Sequence, residues 1–126
     1  MDMLHTETVD KLFRAILSLK TIDECYALFI DLCTVNEIIE MAQRFDAADR
    51  LNRGENYAYI TEKTGMSTAT IARVRKCLLY GEGGYRLALS RISSDSEQNN
   101  DQKTSTESVN IDDKDKNARN SKGDGE

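Results

Sequence analysis

The sequence predicts an all-α fold, and three observations carry that prediction. Apolar residues recur at helical spacing through three successive runs, two Thr-x-x-Glu signatures mark helix starts, and Gly65 punctuates two short helical segments between Asn56 and Tyr80.

The first run, Thr8 to Leu19, places Val9, Leu12, Phe13, Ile16 and Leu17 on one helical stripe. Thr21 with Glu24 then reads as a capping box, and the helix behind it carries Ile22, Cys25, Tyr26, Phe29, Ile30 and Cys33. Thr34 with Glu37 repeats the signature. It opens a longer helix through Val35, Ile38, Ile39, Ala42, Phe45, Ala48 and Leu51 that ends near Gly54, a residue suited to the left-handed position past a helix end. Gly81, Gly83 and Gly84 break the chain after Tyr80, and Tyr85 to Ile92 can form a short closing helix. From Ser93 the composition changes: Val109, Ile111 and Ala118 are the only hydrophobic residues in the last 34. Such a segment buries too little apolar surface to offset its ordering entropy, so residues 1–92 are expected to form one helical domain and 93–126 a disordered acidic tail.

Between Asn56 and Tyr80 the pattern is that of a helix-turn-helix. The motif needs a residue tolerant of positive φ where its first helix ends, and Gly65 is one. Ser67 stands where an N-cap belongs, so the second helix is expected to start at Thr68. Ile60, Met66, Ile71 and Val74 fall at the inward positions, and Thr68, Ala69, Ala72, Arg73 and Lys76 at the outward ones. Small, polar and basic side chains on one exposed face suit a helix laid in the major groove of double-stranded DNA, where Arg or Lys can reach guanine O6 and N7. The competing reading is a plain helical hairpin, with Gly65 as a C-cap and the basic residues as a solvated face. Thr61 departs from the motif, because a very small residue is usual four positions before the turn glycine.

Charge distribution favours the DNA reading. The formal net charge is −5, yet Ile60 to Ile92 holds 6 basic against 2 acidic residues, while Met1 to Tyr59 holds 6 against 11 and Ser93 to Glu126 holds 5 against 9. Local charge, not net charge, sets attraction to phosphate. The Met-Asp-Met start and the lack of a long apolar run argue against a signal peptide or a membrane span, so a cytoplasmic location is expected. Cys25, Cys33 and Cys77 form no C-x-x-C pair, which fits a reducing compartment. Cys25 and Cys33 are expected as buried small hydrophobes and not metal ligands, His5 being the only histidine; no metal and no cofactor is expected. Catalysis is the weakest of the function classes, because no paired carboxylate or nucleophile–base spacing stands out.

Several of these residues together resemble the Trp repressor superfamily, in particular its small regulators of the YerC/YecD type. They are Arg-Gly-Glu at Arg53 to Glu55, the turn glycine Gly65, and Ala-Thr-Ile-Ala-Arg at Ala69 to Arg73; Gln43-Arg44 aligns upstream without a gap to Arg53. The likeness covers roughly Leu32 to Tyr80, with one residue fewer between Glu55 and the turn. It implies a Trp-repressor-like helical domain in an intertwined homodimer, presenting two reading helices to successive major grooves about 34 Å apart on a palindromic operator. The second helix points the same way, since Leu28, Phe29, Ile30 and Leu32 surround most of its circumference, more apolar surface than a small lone domain can bury.

The expected contacts follow. Arg73 and Lys76 address base edges, while Thr68, Ala69, Thr70 and Ala72 meet thymine methyls or bridging water. Arg75, Lys63, Arg53, Asn56 and Tyr57, at helix starts and flanks, suit phosphates, and the N-cap Ser67 is counted among the DNA-binding residues. For Arg53 an equal alternative is a cation complementing the preceding helix dipole. In the tryptophan-dependent repressor two arginines sandwich the indole and a glycine follows the second. Arg44 and Arg73 align with that possible ligand pair, but the glycine is replaced by Val74 and a nearby serine by Cys77. A β-branched side chain removes the room a planar ligand needs, so tryptophan is not expected as corepressor, Arg44 is expected in an ion pair, and any other effector is unknown. The alternative function is a helical dimeric protein-interaction module that keeps the helix-turn-helix only as scaffold.

Overall fold

A computed structural model describes residues 2–95 of the 126. The elements are α1 (Glu7–Ser18), α2 (Ile22–Leu32), α3 (Val35–Asn52), α4 (Tyr57–Thr64) and α5 (Thr68–Tyr80), followed by a helical segment, α6, over residues 84–95. Among the described residues there is no strand. The expected tail lies outside them apart from residues 93–95, which continue α6; the Ser93 and Ser94 hydroxyls there donate back to the carbonyls of Leu89 and Ser90.

Each helix start is set locally. Thr6 caps α1 by accepting from Val9 N at 3.2 Å, a cap the apolar spacing did not reveal. Thr34 and Glu37 form a reciprocal capping box at α3, with Glu37 N–H donating to Thr34 Oγ1 at 3.1 Å and Thr34 N–H to Glu37 Oε1 at 2.9 Å. The Thr21–Glu24 pair forms only the first half. Glu24 N–H donates to Thr21 Oγ1, but the Glu24 carboxylate accepts from Lys20 N–H and the Thr21 hydroxyl, not from Thr21 N–H.

The chain divides into two compact units, Met1–Ile71 and Ala72–Glu126, the boundary falling within α5. In the first, α3 packs against α2 and α4, and the buried side chains are Ala47, Ala48, Ile60, Met66 and Ile71. In the second, Val74, Leu78 and Leu89 are buried, and Arg86 Nε donates to the Leu78 carbonyl at 3.0 Å, satisfying one of the free acceptors near the end of α5.

Neither α1 nor α2 buries a single residue within the one chain. Leu17 and Ile22 are 83% and 75% exposed, and Ile22, Cys25, Tyr26, Phe29 and Ile38 line an open apolar groove. The expectation of buried thiols fails here for the same reason: with nothing covering that face of α2, Cys25 is exposed and Cys33 only half-buried. Cys77 is exposed on α5. No described helix is long and apolar enough to cross a membrane.

Candidate nucleic-acid interface

The turn before the reading helix is built from a chain of short-range hydrogen bonds. Gly65 adopts φ +73° and its N–H donates to Thr61 O at 2.9 Å, closing α4. The preceding Thr64 hydroxyl donates to Ile60 O at 2.6 Å and accepts from Met66 N–H at 3.2 Å. Ser67 then caps α5. Its Oγ accepts from Thr70 N–H at 3.2 Å and lies 2.9 Å from the Thr70 hydroxyl, so α5 begins at Thr68 as its sequence indicates.

Burial fixes which face of α5 is outward. Ile71, Val74 and Leu78, spaced three and four apart, are buried, as are Ile60 and Met66. Thr68, Ala69, Ala72, Arg73 and Lys76 are exposed together with Arg75, and Thr70 is half-buried beside its cap partner. Among the described residues no ion pair engages Arg73, Arg75 or Lys76. The outward face therefore carries cations with no ion-pair partner among the described residues, between side chains no larger than threonine.

The flanking candidates are partly engaged already. Asn56 is the N-cap of α4, its Oδ1 accepting from Tyr59 N–H at 2.9 Å, which leaves its amide NH₂ as donor. Lys63 is exposed, with Nζ 5.5 Å above the Tyr59 ring, and Tyr57 is half-buried. Arg53 is the C-cap of α3 and pairs with Asp49 at 3.3 Å. Arg44 is exposed, and the ion pair expected of it is not formed among the described residues, although Glu40 stands one turn before it on α3.

Sequence reasoning missed the cluster that supports the link between α3 and α4. Arg50 Nε donates to Asp46 Oδ2 at 2.9 Å and its NH1 to Glu55 Oε2 at 3.5 Å. The hydrogen bond it donates to Asp46 is the main reason the Arg50 guanidinium is held even more firmly protonated than usual. Asp46 and Arg50 are four apart with the acid first, a spacing that was readable. Around them Gly54 takes φ +90°, Gly54 N–H donates to Leu51 O, and Glu55 N–H to Arg50 O, the two bonds of a Schellman motif. Thr61, the departure from the motif, has a buried hydroxyl with no hydrogen-bond partner.

Among the described residues, six helices, a glycine turn and an outward basic helix after it define a protein of the helix-turn-helix class, the architecture of DNA-binding regulators. The chain belongs to the Trp repressor protein family, which it matches over residues 7–93. YerC of Bacillus subtilis (strain 168) is 50% identical to it over 92 residues, covering 73% of this chain and 88% of YerC. The crystal structure of a TrpR-like protein from Eubacterium eligens superposes with TM-score 0.71 at 48% identity, over 74% of this chain and 96% of that one. That of a putative Trp repressor from Staphylococcus aureus gives 0.69 at 44% identity, over 71% and 90%. The resemblance carried by Arg53 to Glu55, Gly65 and Ala69 to Arg73 is thus borne out.

Proposed function

We propose that this protein is a sequence-specific transcriptional regulator, a cytoplasmic repressor that binds a palindromic operator as a homodimer without using tryptophan. The observation that carries this reading is the outward face of α5, where Arg73 and Lys76 are exposed, with no ion pair among the described residues, next to Thr68, Ala69 and Ala72. Exposed arginine and lysine reach base edges, and the small neighbours permit the close approach this requires. Arg75, Lys63, Tyr57 and the Asn56 amide supply donors for phosphates, Arg53 a weaker one because Asp49 already holds it, and Ser67 and Thr70 at the start of α5 complete the DNA-binding set. The family match over residues 7–93 supports a DNA-binding domain of residues 1–92 with 93–126 appended.

The homodimer is supported by the exposed apolar surface of α1 and α2. Phe13, Leu17, Ile22, Tyr26 and Ile30 are each more than half exposed in the single chain, and a second copy would remove them from water. Val74 supports independence from tryptophan. It is 2% exposed and stands where the tryptophan-dependent repressor has the glycine beside its ligand.

The test is to incubate the purified protein with fragmented DNA of its own genome and sequence what is retained, at two salt concentrations, with and without tryptophan. One palindromic motif at both salts, unaffected by tryptophan, is the expected result. Arg73→Ala with Lys76→Ala should abolish it. Retention that vanishes at higher salt without a motif would overturn the reading in favour of a protein-interaction module.

A further inference from the structure

We propose that the acidic segment after α6, residues 96–126, docks on the outward basic face of α5 and competes there with DNA. The contact stands on charge alone; its consequence for DNA rests on the function proposed above.

Within the second unit, residues 72–95 hold five basic side chains, Arg73, Arg75, Lys76, Arg86 and Arg91, against Glu82 and Asp95. Residues 96–126 hold eight acidic against five basic, so the two stretches carry opposite surpluses of three charges. The densest acidic cluster is Asp112, Asp113 and Asp115. Arg73, Arg75 and Lys76 are exposed without an ion-pair partner among the described residues, so this helix face is open to an anion. Reach is no obstacle. Thirty-one residues can span up to about 100 Å, whereas a helix the length of α5 measures about 20 Å.

Carboxylates and phosphates compete for the same guanidinium and ammonium donors, but not equally. A duplex presents one charge about every 1.7 Å, a far denser anion than a segment with a surplus of three. Operator DNA, held by base contacts as well as phosphates, displaces the segment, whereas DNA held only by phosphate attraction does so less readily. Because any duplex bound at this face must exclude the segment, the segment lowers the apparent affinity for operator and random-sequence DNA by the same factor, and at a given concentration the weaker, non-specific complexes are the ones left unformed.

The test uses full-length protein in two triple variants with the same change of net charge. One removes the tail surplus, Asp112→Asn with Asp113→Asn and Asp115→Asn; the control is Glu7→Gln with Asp31→Asn and Glu40→Gln, all exposed positions on α1, α2 and α3. Amide resonances are compared first, without DNA and at low salt. The tail variant should shift Ala72, Arg73 and Lys76 and the control should not; unchanged resonances in both overturn the docking. Affinity for a random-sequence duplex is measured next. If the segment covers the face about four-fifths of the time, the tail variant binds about fivefold more tightly than the wild type at low salt. That gain should disappear at high salt, and equal gains in both variants overturn the competition. If no variant binds DNA, the resonance comparison still decides the contact, and it is the DNA-binding reading that fails.

Discussion

Arg50 and Glu55 engage each other twice: the Glu55 N–H donates to the Arg50 carbonyl at 3.1 Å, and Arg50 NH1 donates to the Glu55 carboxylate at 3.5 Å. With Asp46 on the other side of the guanidinium, one side chain ties the last turn of α3 to the link that starts α4. Arg50→Gln and Glu55→Gln should each lower the melting temperature by a few degrees. The double variant should lose less than the two single losses combined, because the residues share one interaction. Arg50→Lys should not rescue, since a single ammonium cannot address Asp46 and Glu55 from two separate nitrogens. Strictly additive losses in thermal melts would show that the side chains are uncoupled.

Gly65 tests the turn without steric confusion. A Cβ built there meets nothing within 4 Å, so the cost of Gly65→Ala is the left-handed backbone itself, roughly 1–2 kcal/mol. Gly65→Asn should cost less, because asparagine tolerates that region. Urea unfolding of the two variants checks the order; equal losses would show that backbone conformation is not what the glycine supplies.

Thr61→Val should stabilise the protein by about 1 kcal/mol, since it keeps the branched shape and removes a buried hydroxyl that has no partner. Thr61→Ala should not, as it also removes the γ-methyl of a half-buried side chain. A destabilised Val variant in the same urea series would mean that a bound water satisfies the hydroxyl.

Acid sensitivity should be traceable to the α3 cap. The Thr34 N–H, and next the Thr34 hydroxyl, hold the Glu37 carboxyl below its ordinary range. A carboxyl whose pKa is lower folded than unfolded adds stability above its unfolded pKa, and that contribution is lost as pH falls through the folded pKa. Asp2, lowered chiefly by the His5 N–H, acts with the same sign. Chemical denaturation from neutral pH down through the carboxylate range should show stability falling, and Glu37→Gln should flatten that fall. An unchanged slope would remove Glu37 from the account.

The sequence by itself determined the helices and the reading unit, because the signals that set them act within four or five residues. Thr34 with Glu37, Gly54, Gly65 and Ser67 each meet their partners along the chain, and the alternation of Ile71, Val74 and Leu78 with Thr68, Ala72, Arg73 and Lys76 needs only helical geometry. The same local reach explains the smaller misses: Glu24 had several nearby donors, and a pattern cannot say which one a carboxylate takes. Tertiary structure alone decided what is covered. It left α1, α2 and Cys25 open, left Arg44 without an ion pair among the described residues, orphaned the Thr61 hydroxyl there and set Arg50 between Asp46 and Glu55. Apolar periodicity tells which face of a helix seeks cover, but burial depends on which elements arrive to provide it, and that is a property of the packed chain and its partners.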